Sequence, residues 1–238
     1  MLKRALSISV MTLVVVFVVA SMATAYTVAT VGGYGPYQTG SGGEFTLLPG
    51  DGLQVDLNAY GATTKNFVQT GTFQTFCLEE REYIYSNTTF DAIVNTAAVL
   101  GGTSTSDPIS IGTAYLYSQF AAGALANYDY SRTGARASTQ DLQNAIWFLE
   151  GEGGVDNYFV AQAMAALHLT TVDALMADAN GAFNVGVLNL YAQGHPGDLN
   201  YLRQDQLVML PTPIPSAVWL LGSGMLGLIG IRRWSRRT

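Results

Sequence analysis

Between Val28 and Arg81, apolar and polar positions alternate in short runs. Glu44-Phe-Thr-Leu-Leu48, Leu53-Gln-Val-Asp-Leu57 and Phe73-Gln-Thr-Phe-Cys-Leu78 each keep a partial period of two, with Pro49-Gly-Asp-Gly52 and Gly61 between them. A period of two puts one set of side chains on one face, so this part of the chain is predicted to be β structure. Gly32-Gly33, Gly35-Pro36 and Gly40 to Gly43 form a flexible, turn-rich opening. Thr89 to Leu100 is open to two readings: Ile93, Val94, Ala97 and Ala98 fit a helix, whereas the β-branched content fits a strand.

The period then changes. Over Ile111 to Tyr128, Leu116, Phe120 and Ala124 recur at four-residue steps and define one helical face. Ser138-Thr-Gln-Asp141 carries a carboxylate three residues after a serine, the layout of a helix N-terminal cap. Leu142, Ala145, Ile146 and Leu149 follow as a buried stripe that stops at Gly151-Glu-Gly-Gly154. A third stripe, Phe159, Val160, Ala163 and Leu167, lies within Val155 to Leu167, and Val185 to Leu190 and Gln206 to Leu210 read as closing strands. No period of solenoid or propeller length repeats, and strands followed by helices and strands predict one α+β domain over residues 26–210.

Charge separates that body from its ends. The 238-residue chain carries 11 basic and 17 acidic residues, but Lys3, Arg4, Arg232, Arg233, Arg236 and Arg237 lie at the termini. The segment from Tyr26 to Pro215 keeps 5 basic residues against all 17 acidic ones, a balance of −12. A body so acidic is repelled by phosphate backbones, so no nucleic-acid partner is expected. With 11% aromatic and 12% charged residues, the body has the composition of a packed core rather than of a disordered chain.

Residues 1–25 have a basic start, an apolar run from Ala5 to Ala20 and Ala23-Thr-Ala25 ahead of Tyr26. That is the three-part layout of a secretory signal peptide with a small-x-small cleavage site. At the other end, Pro211-Thr-Pro-Ile-Pro215 leads into an apolar, glycine-rich stretch of 16 residues, Ser216 to Ile231, and then Arg232-Arg-Trp-Ser-Arg-Arg-Thr238. The stretch is shorter than the roughly 20 residues that span a bilayer comfortably, and the arginines after it favour the cytoplasmic side.

This tail resembles the PEP-CTERM sorting signal of Gram-negative bacteria in its Val-Pro-Leu-Pro-Ala variant, with Pro213, Ile214 and Pro215 at the motif and Arg232 and Arg233 behind the apolar stretch. The common form has a glutamate between the prolines where this chain has Ile214. The resemblance covers residues 211–238. It implies an exosortase-type processing protease as partner, transient membrane residence through residues 216–231, and release or attachment at the cell surface alongside exopolysaccharide.

Cys77 is the only cysteine, so no disulfide can form within the chain. Its ordinary role would be a small buried hydrophobe. It also stands in Thr75-Phe-Cys-Leu-Glu79, and Leu142-Gln-Asn-Ala-Ile-Trp147 follows 66 residues later. Together these segments resemble the motifs of bacterial thioester domains, known from Gram-positive surface adhesins: a cysteine between an aromatic and an apolar residue on a strand, and Gln-x-Ala-apolar-Trp at the start of a helix. The resemblance implies an intramolecular thioester between Cys77 and Gln143, formed with loss of ammonia, in a β-barrel or sandwich with an inserted helical part. Phe76 and Trp147 would keep water from the bond, with Tyr115 and Tyr117 as further candidate walls. An incoming amine or sugar hydroxyl would take the acyl group and release the thiol, in single-use acyl transfer with the protein as donor.

Other chemistry has little support. His168 and His195 are the only histidines and lie in no metal-ligand spacing with Cys77. Glu79, Glu80 and Glu82 offer the carboxylates of a catalytic or calcium-binding group, but with Arg81 among them they read better as solvated charges at a strand end. Neither a hydrolase elbow nor a phosphate-binding loop occurs, so neither a turnover enzyme nor a cofactor or metal is expected. The expected role is covalent adhesion by an exported surface or matrix protein. The alternative is a non-covalent structural or carbohydrate-associated matrix protein in which Cys77 is inert.

Overall fold

A computed structural model gives the fold and describes residues 24–31, 42–60, 71–100, 106–131 and 136–212. The signal-peptide expectation and the sorting motif Pro213, Ile214, Pro215, Arg232 and Arg233 lie outside these residues. Among the described residues, no helix is long and apolar enough to cross a membrane.

The predicted α+β class holds. Six strands form one antiparallel sheet that curls into a nearly closed barrel: β1 (Tyr26–Thr30), β2 (Phe45–Pro49), β3 (Phe73–Thr75), β4 (Thr89–Asn95), β7 (Val185–Ala192) and β8 (Gln206–Met209), in the order β3-β2-β1-β4-β7-β8. A separate pair, β5 (Ala97–Val99) and β6 (Ser106–Pro108), leads into the helical part. The ambiguous stretch from Thr89 is therefore a strand, and its register of six residue pairs from Phe90↔Ala192 to Asn95↔Val187 joins the two halves of the sheet. Seven consecutive residues of β7, Val185 to Tyr191, are buried, which marks it as covered on both faces.

The edges of the sheet, β3 and β8, meet across a seam. Leu207 N–H donates to Phe76 O (3.3 Å) and Leu78 N–H to Asp205 O (3.1 Å), flanking an antiparallel bridge between Cys77 and Gln206. Thr75 Oγ1–H donates to Leu207 O at 2.6 Å. Closure matters because an open edge offers unpaired backbone groups to other chains.

Among the described residues, four helices follow β6: α1 (Ile111–Ala121), α2 (Arg136–Leu149), α3 (Tyr158–Ala166) and the short α4 (Val172–Leu175). Ser110 caps α1 by accepting from Thr113 N–H (3.1 Å), and its hydroxyl donates to Glu150 at the end of α2 (2.8 Å). Leu116 and Phe120 of α1 are fully buried with Leu142, Ala145, Ile146 and Leu149 of α2, as their stripes predict.

Four local readings need correction. Leu53 to Leu57 is not a strand: Leu53 is buried and Gln54 exposed, so the alternation reports sidedness. The segment touches the end of β8 through the backbone bond from Asp56 N–H to Met209 O (2.9 Å) without forming a ladder, and Asp56 then starts a 3-10 turn, accepting from Asn58 N–H (3.1 Å). Helix α1 stops at Ala121, before a left-handed Gly123 (φ +70°), so Ala124 faces solvent and Leu125 takes the buried position. Ser138 lies inside α2, which starts at Arg136, and its hydroxyl accepts from Asp129 N–H (3.0 Å) in the preceding loop. Helix α3 starts at Tyr158 rather than Val155, because Asn157 supplies the cap to Phe159 N–H (2.9 Å).

Candidate functional site

Gln143 sits on the buried face of α2, between Leu142 and the Ile146 turn, and is wholly inaccessible to solvent. A buried carboxamide needs partners for both ends. Gln143 finds them on one residue: its Nε2–H donates to Cys77 O (2.8 Å) and its Oε1 accepts from Cys77 N–H (3.1 Å). The side chain thus pairs with the backbone of Cys77 as a neighbouring strand would, and brings the carboxamide carbon alongside the residue that carries the sulfur.

The same Oε1 accepts a second backbone donor, Gly43 N–H, at 3.0 Å. Two fixed N–H groups on one carbonyl oxygen have the arrangement of an oxyanion hole, which would stabilise a negative oxygen if a nucleophile added to the carbon. The preceding residue must be glycine. At Gly42 (φ +94°), a Cβ would stand 2.8 Å from both Gln143 Cγ and Trp147 Cη2, closer than packed atoms can approach. Glycine lets the chain pass between these two side chains and delivers the Gly43 donor.

The loop is tied down by the residue that follows it. Glu44 is buried and accepts from Tyr128 O–H at 2.7 Å, and Tyr128 shares a second bond with Thr139 Oγ1 (2.9 Å), one turn before Gln143. Burial pushes the Glu44 carboxyl up to about 8, with the Tyr128 bond partly offsetting it. At neutral pH this group is mostly uncharged.

The sulfur is enclosed. Cys77 is 3% exposed, and burial pushes its thiol up to about 12; a bond from Gln206 works against that rise and the Glu82 charge adds to it. The thiol is therefore neutral at physiological pH, and in any acyl exchange with Gln143 its proton must leave with the departing group. Gln206, directly across the seam, donates from Nε2 to Cys77 Sγ at 3.5 Å.

The expected aromatic walls divide. Trp147 is nearly buried and contacts the Gly42 loop beside Gln143. Phe76 is fully buried and packs edge-on against Phe120 at 4.9 Å. The Tyr117 ring packs on Tyr60 and Phe120, and its hydroxyl donates to Gln74 O (2.7 Å) and pairs with Tyr60 O–H (2.8 Å), fastening the seam a few residues away. Tyr115 belongs elsewhere: it is half-buried, and its ring packs edge-on against Phe183 at 5.7 Å, at the 3-10 turn Ala182–Asn184. Helical geometry explains this, since residues two apart point to different sides.

Sequence reasoning missed Gly42, Gly43 and Gln206. The glycines had a signal, the Gly40 to Gly43 cluster, but it read as flexibility rather than as a donor.

The acidic residues after Cys77 also differ from expectation. Glu79 is buried rather than solvated, and one carboxylate oxygen each from Glu79, Asp107 and Glu152 lie within 4.8 Å of one another. Among the described residues this is the group of side chains best placed to hold a cation. His168 is exposed, and His195 stacks on Tyr201 with ring centroids 3.6 Å apart. An open cavity of about 430 Å³ lined by residues including Tyr85, Phe90, Gln193 and Arg203 contains neither Cys77 nor Gln143. Comparison with protein-family models, curated proteins and solved structures finds no match to this chain.

Proposed function

We propose that this chain is an exported Gram-negative cell-surface or extracellular-matrix protein that forms a Cys77–Gln143 thioester for covalent adhesion. The observation that carries the reading is the docking of the Gln143 carboxamide on the N–H and C=O of Cys77, with Gly43 N–H as second donor to its oxygen. A thiol attacks an amide only when the two are held together, and this arrangement supplies proximity and an oxyanion hole at once.

In bond formation, Cys77 Sγ adds to the Gln143 carboxamide carbon and the electron pair of the C=O moves to Oε1. The C–N bond then breaks, and the amine leaves as ammonia with the thiol proton. In capture, an amine or sugar hydroxyl of a surface or matrix partner adds to the same carbon. The C–S bond breaks, the partner ends as an amide or ester on Gln143, and its proton goes to the sulfur. The protein acts once and is not a turnover enzyme. Burial of Cys77 and Trp147 favours survival of the acyl-sulfur bond by keeping bulk water off it.

The signal-like N-terminus and the tail at Pro213-Ile-Pro215 support export and processing by an exosortase-type protease, with residues 216–231 passing transiently through the membrane. A second reading, a non-covalent structural or carbohydrate-associated matrix protein, draws on the burial and high pKa of Cys77, which also suit an inert core thiol.

Intact mass decides between them. The covalent reading expects the purified protein to be lighter than its sequence by one ammonia, and the deficit to vanish in Cys77→Ala. Methylamine should then add to the protein and expose one thiol. Freshly folded protein that keeps its full mass, with a thiol titrating only in denaturant, would leave the matrix reading alone.

A further inference from the structure

We propose that Gln206 is the group that governs release of the Cys77 sulfur when a nucleophile takes the acyl group. The inference rests on the thioester reading and adds a residue that neither the cysteine nor the glutamine motif contains.

Three observations converge on Gln206. It forms the cross-strand bridge with Cys77, where side chains directly opposite one another lie close. Its Nε2–H donates to Sγ at 3.5 Å, a normal distance for a bond to sulfur. Its Oε1 is buried and has no hydrogen-bond partner among the described residues, although the residue is wholly inaccessible. Leu207 and Val208, the next two residues of β8, are just as buried and apolar, so an apolar side chain would suit the strand without leaving an orphaned acceptor. A buried polar group left half-satisfied calls for a reason beyond packing, and here the satisfied half points at the sulfur.

The chemistry at that atom supplies the reason. Once an amine has added to the acyl carbon, the oxygen is held by Gly43 N–H and Cys77 N–H. The C–S bond must then break, with its electron pair passing to Sγ. Among the described residues no cation acts on the sulfur, burial disfavours a thiolate, and Glu82 opposes it further. Among the same residues the Gln206 amide is the side-chain donor on that atom, and being neutral it works at any pH. After the amine proton has reached Sγ, the unpaired Oε1 of the same carboxamide can accept from the new S–H by a half-turn of the side chain.

Release and attack limit different nucleophiles. Burial makes the Cys77 thiolate a poor leaving group, so an added amine, methylamine included, is expelled readily and C–S cleavage sets the rate. Added hydroxide is a poorer leaving group still, so attack sets the rate of hydrolysis. Loss of the sulfur donor should therefore slow amines selectively, whereas a purely structural defect would change both.

The test uses the full-length wild type and Gln206→Met, which keeps an unbranched side chain of similar length without the donor. Intact mass is read first, then thiol release with methylamine and, without amine, by hydroxide at alkaline pH. Both proteins should be lighter by one ammonia. The variant should react with methylamine about tenfold more slowly or worse, the scale of one hydrogen bond to a developing charge, while alkaline hydrolysis changes by less than about threefold. Equal slowing of both reactions, or of neither, overturns the proposal. A folded variant that retains its ammonia places Gln206 in making the bond and overturns a role in breaking it. A wild type without the mass deficit removes the thioester reading itself, a separate result, and leaves no acyl sulfur to release. Should Gln206→Met not fold, Gln206→Glu replaces it. Its carboxyl donates only when protonated, so methylamine reactivity relative to wild type should fall as pH rises, and parallel pH profiles would overturn the role.

Discussion

Along the seam between β3 and β8, the stretch around Tyr60 and Tyr117 and the stretch around Cys77 use buried polar groups to opposite ends. In the first, Met209 N–H donates to Tyr60 O–H (2.9 Å), Tyr60 to Tyr117 (2.8 Å) and Tyr117 to Gln74 O (2.7 Å), a relay in which each hydroxyl both donates and accepts. In the second, two glutamines engage one cysteine: Gln143 pairs both ends of its carboxamide with the Cys77 backbone, and Gln206 reaches the sulfur with Nε2 and keeps an unpartnered oxygen. Each stretch leaves a buried amide atom unpartnered among the described residues, Gln74 Nε2 in the first and Gln206 Oε1 in the second; what separates them is that the second carboxamide touches a sulfur. The first stretch reads as stability and the second as chemistry, although they share two strands.

The largest effect expected on this contrast is total. Cys77→Ala should abolish both the ammonia deficit and methylamine uptake, yet leave a cooperative unfolding transition, because the relay is untouched. Intact mass beside a denaturant melt checks both halves. Gly42→Ala should harm both stretches unequally. Its Cβ would collide with Gln143 and Trp147, so the ammonia deficit should be mostly lost, with destabilisation of about 1–3 kcal/mol from overpacking and the left-handed backbone. Retention of the full deficit in this variant would show that the Gly43 donor is not needed.

Tyr117→Phe reverses the pattern. Removing the hydroxyl takes a donor from Gln74 O and Leu207 O and one partner from Tyr60, which keeps Met209 N–H, and should cost about 1–3 kcal/mol in a denaturant titration while the mass deficit stays complete. If the deficit disappeared, the two stretches would not be separable.

The smallest effect is on pH. Burial raises Glu44 to about 8 and Glu82 and Glu150 to about 7, from about 4.5 when unfolded. The folded state then holds protons that the unfolded chain has released, so this contribution is complete below about 4.5 and is lost as pH rises through 7 to 8. The thermal midpoint should fall by roughly several degrees over that window. Glu44→Gln, which mimics the protonated carboxyl beside the Gly43 donor, should flatten part of the fall. A midpoint that rises with pH would contradict the burial of these groups.

Much of this arrangement was legible in the chain. The helical stripes at Leu116/Phe120 and Leu142/Ile146 reported their own burial, and short glycine-bounded runs reported strands. Leu53 to Leu57 misled because alternation records which side is wet, whereas a strand also needs a neighbour in register. Cys77 and Gln143 stood out because each belongs to a short run with restrictive neighbours. Tyr115 was misplaced because nothing in a sequence fixes the rotation of a helix against a distant strand. Gly43 acts through its backbone N–H, which every non-proline residue possesses, and Gln206 looks like any polar residue in a strand. Their roles arise only where three distant segments meet.

The seam also sets an order of events. Thr75 and Leu207 are separated by 132 positions, so their contact is among the most non-local in the molecule. Contacts of that span form late in folding, because the intervening loop must first be closed. A growing or partly translocated chain has Cys77 and Gln143 but not yet β8, and the walls around the sulfur are incomplete. Under the proposed thioester reading, the acyl-sulfur bond would be sheltered only on a finished barrel, so a half-made chain would not carry a protected electrophile past the machinery that exports it.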